Sequence, residues 1–121
     1  MPSCLVVDDS RVIRKIACRI LEELAFTADE AEDQEQALDR CRAQMPDLVL
    51  FDGDLPNGNG VDFVRALRRE RNGQKPLIVF CVTEVDPTFV GHALGAGANE
   101  YMLKPYDRTG IRAKLADIGL T

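Results

Sequence analysis

Residues Asp47–Gly58 read DLVLFDGDLPNG. The run from Asp47 to Phe51 is too apolar to face water on either side and too short for an ordinary helix, so it reads as a buried strand. Strands of that kind belong to parallel sheets covered by helices on both faces. The run then meets two aspartates, Asp52 and Asp54, separated by a single glycine. An aspartate at the end of a buried strand serves two unrelated kinds of phosphate chemistry, one an enzyme and the other a switch. Which aspartate is the nucleophile, if either, depends on what else the fold brings to that strand end.

Outward from this stretch the chain alternates. CLVV (Cys4–Val7) is a short apolar run that stops at acids, and it reads as a first buried strand. Ser10 suits the cap of a helix with Ile13, Ile16, Ala17, Ile20, Leu21 and Leu24 at helical spacing. FTADEA is a weak second strand, and Asp33 with Gln36 resembles a capping box for a helix carrying Ala37, Leu38 and Cys41. Beyond the Asp47–Phe51 strand, Val61, Val64 and Leu67 are spaced for a helix from Val61 to about Arg71. PLIVFCV (Pro76–Val82) is a fourth strand, again too apolar for a wet face. Asp86 and Pro87 form an N-cap and first-turn pair for a helix that closes near Gly95 and Gly97. EYML supplies a fifth strand, and Ile111, Leu115 and Ile118 mark a last helix after Asp107. Five strands alternating with five helices predict an α/β fold with a doubly wound parallel sheet and right-handed crossovers.

Composition bounds the rest. A chain of 121 residues is long enough for one core and leaves little for a second domain or a large cap. No span approaches the roughly 20 apolar residues of a membrane helix, and the start MPSCLVVDD lacks the regions of a secretory signal. The expectation is a cytoplasmic protein with no membrane contact. Cys4, Cys18, Cys41 and Cys81 form no close pair, so they read as reduced core residues. A net charge of -5 argues against nucleic acid as a partner. The basic run Arg65, Arg68, Arg69 and Arg71 reads as the solvated end of a helix.

Ligands of parallel α/β sheets gather at the carboxyl ends of the strands. There the sequence puts Asp8 and Asp9 after the first strand, Asp52 after the third, Thr83 after the fourth and Lys104 at the fifth. Two carboxylates about 4 Å apart repel by roughly 4 kcal/mol at an effective dielectric of about 20, so such a cluster needs a cation or a proton. A purely oxygen donor set suits a hard ion, and Mg2+ is the usual partner of one or two carboxylates plus a phosphate. Lys104 adds a point charge and the Thr83 hydroxyl a donor for an anionic oxygen. The pattern is a site for a phosphoryl group on, or arriving at, a carboxylate.

At these residues the chain resembles the response-regulator receiver domains of two-component signalling, in their stand-alone, chemotaxis CheY-like form. The resemblance is carried by LVVDDS, DLVLFDGDLPNGNG, VFCVTE and ANEYMLKP, in order along essentially the whole chain. It implies a flavodoxin-like five-stranded sheet of order 2-1-3-4-5 and residues 1–121 as a single receiver domain with no output domain. It further implies that Asp52 is the phosphoacceptor, that Asp8, Asp9 and Asp52 hold Mg2+ with the backbone carbonyl of Asp54, and that Thr83 and Lys104 bind phosphoryl oxygens. Tyr101 is then the aromatic that changes rotamer on activation, and Lys104–Pro105 a cis peptide. The donor is a histidine kinase or a histidine phosphotransfer protein docking near the first helix. The output is contact in trans with a protein target, such as a flagellar motor or relay protein, through the fourth helix, fifth strand and fifth helix. The domain is expected to be a monomer and a signalling phosphoacceptor, not an enzyme.

Two rivals follow from the same residues. VLFDGD also resembles the first motif of haloacid dehalogenase-like phosphatases, with Asp52 as nucleophile and Asp54 as general acid. Against it, the motif lies on the third strand, no threonine follows the second aspartate, and Asp8 and Asp9 have no role. The other rival is a degenerate receiver used only as a binding surface; all the signature positions are present here. His92 reads as a surface residue. Glu84, where the family usually has a small residue, is expected at the mouth of the crevice, and the resemblance implies that Asp54 and Val85 flank the path of attacking water.

Overall fold

The computed structural model describes residues 1–55 and 60–120, so residues 56–59, at the end of the acid-bearing stretch and just beyond it, and the terminal Thr121 lie outside the described residues. The elements are β1 (Ser3–Val7), α1 (Arg11–Glu23), β2 (Thr27–Ala31), α2 (Gln34–Ala43), β3 (Leu48–Asp52), α3 (Gly60–Arg69), β4 (Leu77–Val82), α4 (Pro87–Ala96), β5 (Glu100–Leu103) and α5 (Arg108–Asp117). All strand pairs are parallel, in the order β2-β1-β3-β4-β5.

Period-2 alternation sorts the strand side chains into two cores. On one face Leu5, Val7, Val49, Phe51, Ile78 and Phe80 meet residues of α2, α3 and α4. On the other, Cys4, Val6, Leu48, Leu50, Val79 and Cys81 meet α1 and α5. Every residue of β3 is buried, as its apolar run requires. On the α3 side Phe51 stacks on Phe63 with centroids 4.4 Å apart and on Phe80 at 5.3 Å. Gly60 opens α3 against this stack: a Cβ there would stand 3.0 Å from both the Phe51 and Phe80 rings. The edge strand β2 is largely polar, which suits an edge that must not recruit another chain.

The helix signals read from the sequence are present as contacts. Ser10 accepts from the Ile13 amide, Asp86 from Thr88 and Phe89, and Asp107 from Gly110. Gly97 caps α4 at φ 124°, a conformation that favours glycine. The Asp33–Gln36 pair is reciprocal but displaced: Asp33 accepts from the Gln36 amide, whereas Gln36 Oε1 accepts from the Glu32 amide, one residue before the cap. The β3 strand is shifted by one from its expected bounds and includes Asp52. Asp47 instead accepts from the Ser3 amide at 2.8 Å and ties β1 to the start of β3.

Two expectations need correction. Ile16 is 43% exposed beside Val12 at 68%, because one residue step turns the helix by about 100° and α1 packs through Ala17 and Leu21. Arg68 is not part of a solvated helix end. Its guanidinium turns inward and donates to the carbonyls of Gly73, Pro76 and Gly97 and to Asn99 Oδ1, over 2.7–3.1 Å. Asn99 Oδ1 also accepts from the Ile78 amide, so one side chain gathers the connections around β4. Arg68→Met is expected to lower stability by about 2 kcal/mol, as carbonyls lose charged donors. Arg68→Lys should recover only part of it, because an ammonium cannot span the same fork. Urea unfolding measures both, and a Met variant as stable as the parent would show that the clamp contributes nothing.

Candidate phosphoryl and metal site

The parallel register aligns the carboxyl ends of β1, β3, β4 and β5, and four sequence-expected residues meet there. Asp8 is 1% exposed and Asp52 2%. Asp9, next along the chain, faces solvent. One oxygen from each of the three lies within 4.8 Å of the others. Lys104 Nζ sits 3.3 Å from Asp8 Oδ2 and 3.1 Å from Asp52 Oδ1. The Lys104–Pro105 peptide is cis, as the resemblance implies.

Backbone donors fix the carboxylates. The Ser10 amide donates to Asp8 Oδ1 at 2.9 Å, and the Asp54 amide donates to Asp52 Oδ1 at 2.9 Å. Burial pushes the Asp52 carboxyl above its ordinary range; the Asp54 amide and Lys104 work against that push, and Asp8 adds to it. Burial acts to lower the Lys104 ammonium, but Asp52 and Asp8 outweigh it and hold the group above its usual value. The floor is neutral, with the Cys81 thiol pushed up to about 12, mainly by burial. All four cysteines are buried and free, as expected.

The donor set fits a hard divalent cation. Three carboxylates against one ammonium leave two negative charges, and Asp8 Oδ2 is buried without a hydrogen-bond partner although Lys104 is near. Asp8, Asp9 and Asp52 could hold Mg2+ through these oxygens, with retained waters completing the shell.

Thr83 is placed differently from its expected role. Its hydroxyl donates to Asp54 Oδ2 at 2.9 Å and its amide to the same oxygen at 3.0 Å. A general-acid Asp54 would turn its carboxylate toward the Asp52 reaction centre, and here that carboxylate is engaged with Thr83. Tyr101 is half-buried, with Lys114 Nζ 5.8 Å from its ring centroid. Glu84, Val85 and His92 are exposed.

One supporting group was not anticipated. Arg14, on α1, donates from Nη1 to the Asp8 carbonyl at 2.8 Å and pairs through Nε with Glu30 at 3.0 Å. Glu30 also binds Lys15, so β2 and α1 together brace the acid-bearing turn. The only signal in the sequence is an arginine one turn after Ser10, and its partner is 16 residues away.

Residues 4–116 match the family described as the response regulator receiver domain. The chain is 32% identical over 111 residues to the phosphate regulon transcriptional regulatory protein PhoB of Escherichia coli K12, covering 92% of this chain and 48% of that protein. It thus spans about half the length of that curated relative. It is 30% identical over 114 residues to the chemotaxis protein CheY of Halobacterium salinarum, covering 94% of this chain and 93% of that one. The solved chemotaxis response regulator CheY4 of Vibrio cholerae superposes with a TM-score of 0.90 at 25% identity, covering 98% of each chain. A family match over nearly every element, together with a relative of similar length, accounts for both the sheet order and the acid crevice: the chain belongs to the response regulator receiver domains.

Proposed function

We propose that Asp52 is the residue through which this receiver domain is switched. Receiver domains are phosphorylation-activated signalling switches, and a phosphatase reading is not favoured by the family match. The observation that carries the assignment to Asp52 is Lys104 Nζ bridging two buried carboxylates beside the exposed Asp9. Asp52 is the one of the pair on the central strand β3.

The donor is a phosphohistidine of a histidine kinase or a histidine phosphotransfer protein. An Asp52 carboxylate oxygen attacks phosphorus in line; the P–O bond forms as the P–N bond breaks, and the imidazole leaves with the electron pair and takes up a proton. Asp8, Asp9, Asp52 and the Asp54 backbone carbonyl would hold Mg2+, which would supply charge neutralisation for the transferred phosphoryl group. Lys104 takes a second oxygen and holds the acyl phosphate against its own charge. Thr83 takes a third, and its shift toward the phosphoryl group leaves room for Tyr101 to turn inward. The face of α4, β5 and α5 changes, and a protein target is selected there. Leu94 and Leu103 are exposed apolar residues on that face. Chemotaxis, a relay or another two-component pathway fits this chemistry equally. Among the described residues no helix is long and apolar enough to cross a membrane.

The test is incubation with Mg2+ and acetyl phosphate, followed by mapping of a base-labile, acid-stable phosphoryl group to the peptide containing Asp52. A label on another peptide overturns the assignment. A companion prediction concerns Asp9. Asp9→Asn should weaken Mg2+ binding by about tenfold, the equivalent of about 1.4 kcal/mol, and lower labelling accordingly. Its metal-free melting temperature should hold or rise, since one of several repelling carboxylates is gone. A clear fall in metal-free stability would mean that Asp9 is paired structurally and is not a metal ligand.

A further inference from the structure

We infer that the Asp54 side chain is a latch on Thr83, holding the switch hydroxyl away from the phosphoryl position until the site is loaded. The inference rests on the phosphoacceptor reading of Asp52 and adds to Asp54 a role for its carboxylate, separate from that of its backbone carbonyl. Its basis is a short chain of contacts through one residue. The Asp54 amide donates to Asp52 Oδ1, while Asp54 Oδ2 accepts both the hydroxyl and the amide of Thr83. Asp54 therefore ties the third strand end to the fourth through charge-assisted hydrogen bonds.

A hydroxyl has one proton to donate. While it points at Asp54 it cannot also donate to an oxygen of a group on Asp52, so the two acceptors compete. The competition is one-sided before loading, because among the described residues Asp54 is the acceptor bonded to the hydroxyl. A phosphoryl group reverses it in two ways. It adds negative charge and strong acceptor oxygens two residues from Asp54, which repels the Asp54 carboxylate and draws Thr83. The released hydroxyl then becomes available for the inward movement. If the latched form dominates at rest, the apparent affinity for any phosphoryl mimic is reduced by the fraction unlatched. Both Asp54 and Thr83 are exposed, so the bias is modest and is expected to reach about fivefold.

The geometry also distinguishes a latch from simple repulsion of an anion by Asp54. Repulsion acts whether or not Thr83 has a hydroxyl, but a latch needs it. The test is a double-mutant cycle of Asp54→Ala with Thr83→Val, reading the affinity for beryllofluoride in the presence of Mg2+ by titration. Asp54→Ala alone should bind beryllofluoride about fivefold more tightly, and in the Thr83→Val background the same change should gain clearly less. The Thr83 amide proton resonance of the metal-free protein should move upfield in Asp54→Ala, reporting loss of the charged acceptor without any activity measurement. Equal gains in both backgrounds would assign the effect to charge alone and overturn the latch. So would unchanged affinity in Asp54→Ala while the wild type binds. If the wild type binds no beryllofluoride at all, the phosphoacceptor reading itself fails, and the latch falls with it.

Discussion

Asp52→Asn is expected to carry no phosphoryl group after incubation with Mg2+ and acetyl phosphate, while remaining folded and becoming, without metal, at least as stable as the parent. The first half follows from chemistry. An amide is not a nucleophile toward phosphorus under these conditions, and no second carboxylate in the crevice is equivalently placed. Asp8 is as buried as Asp52 but stands past the end of β1 and not on the central strand β3, and Asp9 faces solvent. The second half follows from linkage. Burial raises the folded-state value of the Asp52 carboxyl, so the native state binds more protons than the unfolded chain between the unfolded and folded values. Stability therefore falls as pH rises through that window, and ionised Asp52 at neutral pH is a cost to the metal-free fold. The amide carries no such cost, keeps an oxygen for the Asp54 amide, and leaves Lys104 paired to Asp8. Mass spectrometry of the labelled protein and thermal melts in a chelator measure the two halves. Undiminished labelling of Asp52→Asn would move the nucleophile elsewhere. A strongly destabilised variant would show that the Asp52–Lys104 pair is structural first.

Much of this site was legible in advance because its residues stand at element ends, where sequence signals are strongest. Apolar runs that stop at acids located Asp8 and Asp52, and the parallel topology that those runs imply brings strand ends together whatever their separation in sequence. The fully buried β3 and the nearly fully buried β4 were the easiest elements to read, since burial on both faces leaves few alternatives. What escaped was side-chain direction. Arg68 belongs to a run of arginines, and composition alone suggests a wet helix end. Only the fold places the Gly73, Pro76 and Gly97 carbonyls where one guanidinium can reach them all. Arg14 was hidden for a similar reason, because its value lies in the Asp8 carbonyl and in Glu30 on a neighbouring strand.

The Asp54 carboxylate is the sharper case. A glycine-separated acid pair directs attention to two carboxylates acting together, as in the phosphatase alternative. In the fold the pair divides its labour. The Asp54 amide serves Asp52, and the Asp54 side chain turns to Thr83, 29 residues further on. Gly53 allows the turn between them to lie close to β4: its amide donates to the Cys81 carbonyl at 2.8 Å, and a Cβ there would meet Val82 Cγ1 at 2.8 Å.

Lys104→Met is expected to lower the stability of the metal-free protein by about 3 kcal/mol at neutral pH, in keeping with the loss of one partner from a buried ion pair. The same change should slow labelling by acetyl phosphate by about 100-fold, as for other preorganised charges lost at a reacting oxygen. Lys104 is the cation that faces both buried carboxylates, and its side chain is 15% exposed. The pH dependence separates charge from packing. In the parent, Lys104 is held above its usual value, so its contribution is fully present below the unfolded-chain value and is lost as pH rises through the folded one. In the variant only the Asp54 amide opposes the upward push that burial and Asp8 place on Asp52, so the variant loses stability as pH rises from acid toward neutral. The difference between variant and parent should therefore be small near pH 4, where a proton can replace the ammonium, and large near pH 7. Mg2+ should narrow it at pH 7, because a divalent ion meets the same two charges. Chemical unfolding at the two pH values, with and without Mg2+, reads all three effects. A deficit of equal size at both pH values, insensitive to Mg2+, would assign it to the lost packing of the lysine stem. Lys104 would then not be the counter-charge of the buried carboxylates that it bridges.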